Sequence, residues 1–189
     1  RGAPTPFGVA AASWLVQRDL QREMPLAHEI VHALQHEMHP ELFGHDRFAI
    51  SQDDVEIGLQ AAREGHATWY GLAALEAPGG PRAPEPFADA IRKDVASRRE
   101  GALAEAPALL RMTMFAPYAE GYRLAADERG ALLDDPPVSS EQVLHPERRR
   151  EPFEAIDLAA LHDALPAGCR FVIENSAGEL GIAILLADL

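Results

Sequence analysis

Cysteine is almost absent. Cys169 is the only one in 189 residues, so no internal disulfide can form and the fold must hold by packing. Basic residues are scarce beside acidic ones, 17 against 30, which leaves a net charge of −13. That balance opposes phosphate backbones and anionic lipid surfaces, and nucleic acid is not an expected partner. No apolar run approaches the roughly 20 residues that a membrane-spanning helix needs. Repeats and low-complexity tracts are missing as well. The chain shows no signal peptide and starts at Arg1 without Met, as a processed or cut product would, so an export signal could have been removed. What is present is an ordinary globular composition, 47% hydrophobic and 25% charged. It is long enough to bury a core as a single domain over residues 1–189.

One stretch carries recognisable chemistry: Leu26-Ala27-His28-Glu29-Ile30-Val31-His32-Ala33-Leu34. On a helix His28 and His32 stand one turn apart and project from one face. Two neutral imidazoles so placed can grip Zn²⁺ at about 2.0–2.1 Å. Glu29 sits beside the first ligand, positioned to take a proton from a metal-bound water rather than to bind the metal. The competing reading is a surface helix with incidental charges, since so short a pattern arises by chance in roughly a few per cent of such chains. The apolar flanks Leu26, Ile30, Val31, Ala33 and Leu34, with Pro25 suited to a first turn, favour a buried active-site helix instead.

Periodicity and breakers place the other elements. Ser13–Leu20 reads as a strand on the preferences of Trp14 and Val16, with a short helix as the alternative. The metal helix should run over 24–39 and stop at Pro40. Ser51 is a good N-cap, with Asp53 and Asp54 in the first turn of a helix extending to about residue 76. Val55, Leu59, Ala62, Trp69 and Leu72 give it an apolar stripe. A Pro-rich loop over 78–86 follows, then helices near 87–105 and 107–130, the second interrupted by Pro117. Residues 131–152 read as mostly loop, 154–164 as a helix, 170–174 as a strand, and 179–189 as an apolar helix. The fold class expected is mainly α with a small β-sheet, α+β.

A catalytic zinc keeps three protein ligands and an open position. Glu64 is the best third ligand. It lies mid-helix among Ala61, Gly65, Ala67 and Thr68, small neighbours that allow the close helix approach a short carboxylate needs. Gly65 costs about 1 kcal/mol relative to Ala inside a helix, so it implies a packing reason. Pairing of Glu64 with Arg63 as a solvated charge is the bland alternative. His36 continues the histidine face, but three histidines on one helix cannot close around one ion. His39, His45 and His66 read as surface or supporting residues. Asp53, Asp54 and Glu56 read as capping charges, any of which could orient a ligand imidazole.

His-Glu-x-x-His with a glutamate on a second helix resembles the gluzincin pattern. The thermolysin-like branch has Asp four residues after its ligand Glu, where this chain has Thr68. The chain looks more like a group of uncharacterised bacterial His-Glu-x-x-His proteins described as metallopeptidases. The shared motifs are His28-Glu29-Ile30-Val31-His32-Ala33-Leu34-Gln35, Glu64-Gly65-His66-Ala67-Thr68, Pro117-Tyr118-Ala119-Glu120-Gly121 and Ser139-Ser140-Glu141-Gln142-Val143-Leu144-His145-Pro146-Glu147. The group usually has Asp in place of His66 and Thr in place of Ser140. The resemblance implies a zincin-like domain in which a strand precedes the metal helix. It also implies an exported or cell-envelope setting and a continuation beyond Leu189.

The expected function is therefore zinc-dependent peptide hydrolysis, with His28, His32 and Glu64 as ligands and Glu29 as base. His145, in a Pro-bounded loop, is a candidate to stabilise the oxyanion, against a structural role bonded to Glu141 or Glu147. Tyr118 and Tyr122 are alternative donors. The expected partner is a peptide or protein substrate. The rival readings are a metal-binding or degenerate scaffold that recognises a partner without hydrolysis, and a hydrolase of small amides.

Overall fold

The computed structural model describes residues 20–43, 53–75, 106–153, 163–169 and 175–187. Its longer helices are α1 (Leu20–Met38), α2 (Asp53–Leu75), α3 (Ala108–Glu128) and α6 (Gly178–Ala187). Between α3 and α6 come α4 (Ala131–Asp134), α5 (Ser140–Leu144) and a 3₁₀ turn (Pro146–Arg148), while a second 3₁₀ turn (Pro40–Leu42) follows α1. Among the described residues there is no strand, which corrects the expected α+β class to a helical one. The gluzincin-like architecture inferred from the resemblance falls with the sheet.

The reason lies in what the sheet rested on. Leu20, the end of the first strand candidate, is already helical, because Gln21, Arg22, Glu23 and Met24 are strong helix formers that carry α1 back past Pro25. β-preference at Trp14 and Val16 is a weak, context-dependent signal. Residues 13–19 and the candidate strand 170–174 lie outside the described residues, as do the helix expected at 87–105 and nearly all of that at 154–164.

The metal helix and the second helix otherwise fall within a few residues of their expected ends. Helix α3 runs straight through Pro117, which is fully buried. A proline has no N–H to give the helical ladder, yet packing along α2 sustains the helix. Residues 131–152, expected as loop, contain α4, α5 and a 3₁₀ turn. Ser139 caps α5, its side chain accepting from the Gln142 N–H.

Helix α2 is the centre of the molecule. It packs most extensively on α3 and next on α1. Met24, Leu72, Ala119 and Tyr122 join α1, α2 and α3 in one core cluster. Ala62 with Leu124, Ala125 and Leu132 forms a second, and Ile57 with Ala116, Leu180 and Ile184 a third. Burying each of Leu72, Leu124 and Leu132 contributes roughly 1.5–3 kcal/mol. A helix enclosed on most sides has no room for large side chains, which accounts for its run of Gly and Ala. No helix among the described residues is long and apolar enough to cross a membrane.

Candidate metal centre

Three helices build the centre. Helix α1 supplies His28, which is 2% exposed, and His32, which is partly buried. Helix α2 supplies Glu64, and the positions four and seven residues later, Thr68 and Gly71, share its face. Gly71 is where the two helices meet most closely: a Cβ added there would lie 3.1 Å from the His28 backbone nitrogen. That approach brings the short Glu64 arm to the histidines. Gly65, by contrast, faces α3, where its added Cβ would lie 2.0 Å from the Gly121 backbone. The expected packing reason for Gly65 exists, but its partner is α3 and not the metal helix.

The ligand atoms converge. His28 Nε2 lies 3.0 Å and His32 Nε2 3.3 Å from Glu64 Oε2, and one ligand atom from each residue falls within 4.8 Å of the others. Donors bound at about 2.0–2.1 Å around one tetrahedral centre lie about 3.3 Å apart, and each histidine nitrogen stands close to that distance from the Glu64 oxygen. The rings stand nearly perpendicular, 4.5 Å between centroids.

Each imidazole is also held from behind. His32 Nδ1 is 2.7 Å from Gln35 Oε1, and His28 Nδ1 is 3.4 Å from the Thr68 hydroxyl. With both Nδ1 atoms so engaged, the Nε2 atoms are the ones turned to Glu64, and they are the nitrogens that a metal would take in place of their protons. Two nitrogens and one carboxylate oxygen form a donor set suited to zinc.

The electrostatics couple the carboxylate to the two imidazoles. Burial pushes the Glu64 carboxyl up, but hydrogen bonds from His28 and His32 and their charge outweigh it, taking it down to about 2. Burial works to lower His32, yet its hydrogen bond to Glu64 and that carboxylate's charge raise it, helped by Gln35 and Glu29. Glu29 is exposed, and its charge reaches both His32 and Tyr118. Tyr118 stacks on His28 at 6.0 Å and hydrogen-bonds to Glu64. Burial, then the charge of Glu64, raises its phenol above the ordinary tyrosine value.

The remaining candidates sort plainly. Arg63 does not pair with Glu64: it donates to the Leu42 carbonyl at 2.9 Å and to Glu56 at 2.8 Å. Tyr122 is a core residue, 1% exposed and packed on Trp69. His36 meets the Phe43 ring and His39 pairs with Glu41, while His45 lies outside the described residues. Asp53 pairs with Asn175, and Glu56 with Arg63. Asp54 is buried and accepts from the Ser140 N–H and hydroxyl. His145 bonds to Glu179 at 2.9 Å and lies 3.4 Å from Glu147. It thus ties the α5 region to α6 and is not one of the clustered ligands.

Sequence reasoning passed over Gln35 and Thr68. The signal was there in the spacing: an amide three residues after His32 on α1, and a hydroxyl one turn after Glu64 on α2.

Searches against protein-family models, curated proteins and solved structures find no match for this chain.

Proposed function

We propose that the chain is a zinc-dependent hydrolase of peptide bonds. His28, His32 and Glu64 hold the metal and Glu29 is the general base. The observation that carries this reading is the convergence of three ligand atoms within 4.8 Å, both histidine nitrogens near 3 Å from one Glu64 oxygen, with the motif's glutamate exposed beside them. Zinc in such a site polarises a carbonyl and makes a water acidic enough to act as nucleophile near neutral pH. Glu29, on the exposed side, takes the proton of the attacking water and hands it to the departing amine. Tyr118, with its hydroxyl at Glu64, is placed to donate to the oxygen that gains charge, the role first considered for His145.

Glu29→Gln separates the chemistry from the binding. The variant keeps the zinc, because Glu29 is not a ligand, and loses peptide hydrolysis by roughly 10²–10⁴-fold. Hydrolysis at the wild-type rate would overturn the mechanism. A wild-type chain that holds zinc and cleaves no peptide would instead be a metal-dependent binding scaffold.

A further inference from the structure

Gln35 is 1% exposed, and a buried amide has to satisfy both of its ends. Its Nε2 lies 2.9 Å from the Arg63 carbonyl oxygen and 3.0 Å from His66 Nδ1. A carbonyl can only accept, so the amide nitrogen, not its oxygen, must be the atom on that side. Both amide hydrogens are thereby used, one by α2's backbone and one by His66. The oxygen is left facing His32 Nδ1 at 2.7 Å. An amide oxygen can only accept, so His32 must carry its proton on Nδ1. Its Nε2, 3.3 Å from Glu64 Oε2, is then the nitrogen left to take a metal.

We infer that Gln35 is a positioning residue for the metal centre, fixing the tautomer and orientation of His32, and that His66 locks Gln35 in the orientation this needs. This rests on the zinc reading above. The geometry makes His66 a partner by its δ-position acceptor, a site that the Oδ1 of an asparagine can fill and a leucine cannot. His66 itself is held against the Tyr70 ring, 4.4 Å between centroids, so the chain of contacts runs Tyr70–His66–Gln35–His32 from the flank of α2 to the metal. Partners that orient a ligand imidazole typically govern metal affinity by 10–100-fold.

The test is zinc affinity by competition with a chromophoric chelator, with no turnover involved. Gln35→Leu should weaken binding about 10–100-fold. The same change made on top of His32→Ala should shift affinity by less than about threefold, because the histidine it acts through is gone. An equal loss in both backgrounds would mark Gln35 as merely structural and overturn the inference. Should Gln35→Leu fail to fold, partly buried His66 gives the second arm. His66→Leu should weaken zinc binding by about threefold or more, and His66→Asn should restore it to within about twofold of wild type. Equal affinities for those two variants would also overturn it. A wild-type chain without zinc affinity would remove the underlying reading, a result distinct from zinc binding that ignores Gln35 and His66.

Discussion

At Glu64 two forces oppose each other, and the balance tells what the residue is for. Desolvation works against its charge, while two histidine nitrogens within 3.3 Å favour it. The favourable side wins, so the carboxylate persists beside the two histidines. Tyr118 completes this neighbourhood. Tyr118→Phe should leave zinc content unchanged and lower turnover by roughly 10²–10³-fold, the cost of one oxyanion donor. Unchanged steady-state kinetics in that variant would exclude the role. His145 behaves differently. Its hydrogen bond to Glu179, then the charges of Glu179 and Glu147, raise its pKa on a partly exposed side chain. The stabilisation is fully present below the unfolded value of about 6.5 and is lost as pH rises through the higher folded value. The thermal midpoint of His145→Ala should therefore trail wild type near pH 6 and meet it in mildly alkaline buffer, with turnover unaffected. A gap that widens with pH would contradict this. The shared face of His28 and His32 was legible from sequence because helical spacing sets it, whereas the approach of Glu64 depends on how α1 meets α2. The place of His145 was not legible, because Glu179, its partner, is 34 residues away.

Helices meet here through glycine. An added Cβ at Gly65 would fall 2.0 Å from the Gly121 backbone, and one at Gly121 would fall 2.1 Å from the Ala61 carbonyl oxygen. Backbone cannot yield as a side chain can. Gly65→Ala gains about 1 kcal/mol of helix propensity but forces α2 and α3 apart, and overpacking of this kind typically costs 1–3 kcal/mol or more. Denaturant unfolding should show a net loss. Gly130→Ala is the control: its nearest neighbour is the Tyr70 hydroxyl at 4.0 Å, and the change should be neutral or slightly stabilising. A Gly65→Ala chain as stable as wild type would mean that the helices are not so close. Element ends carry the same lesson about reading sequence. Apolar periodicity and prolines located α1, α2 and α3, but helices as short as α4 and α5 complete too few turns to show a period. The Ser139-Ser140-Glu141-Gln142 stretch belongs to one of the motifs on which the resemblance rests. It is a joint: Ser140 accepts from the Leu180 N–H and donates to Asp54, while Gln142 spans from Val138 to Glu151.

At the scale of the whole molecule, α2 lies in every core cluster and also carries Glu64. Forces that hold the fold and those that would hold the proposed metal thus act on one helix. Zinc bound only by the folded chain should raise its stability, by about 2.7 kcal/mol at a free concentration 100 times the Kd. This coupling was not legible in the sequence, where α2 showed only a one-sided apolar stripe; its nearly all-round burial depends on which elements surround it.

The most direct measurement is the metal content of the purified chain, wild type beside Glu64→Ala, after equilibration with zinc and removal of excess. About one zinc per wild-type chain and almost none on the variant, with both chains folded, is the predicted result. A wild-type chain that emerges empty, or a variant that keeps its zinc undiminished, would contradict the three-residue site.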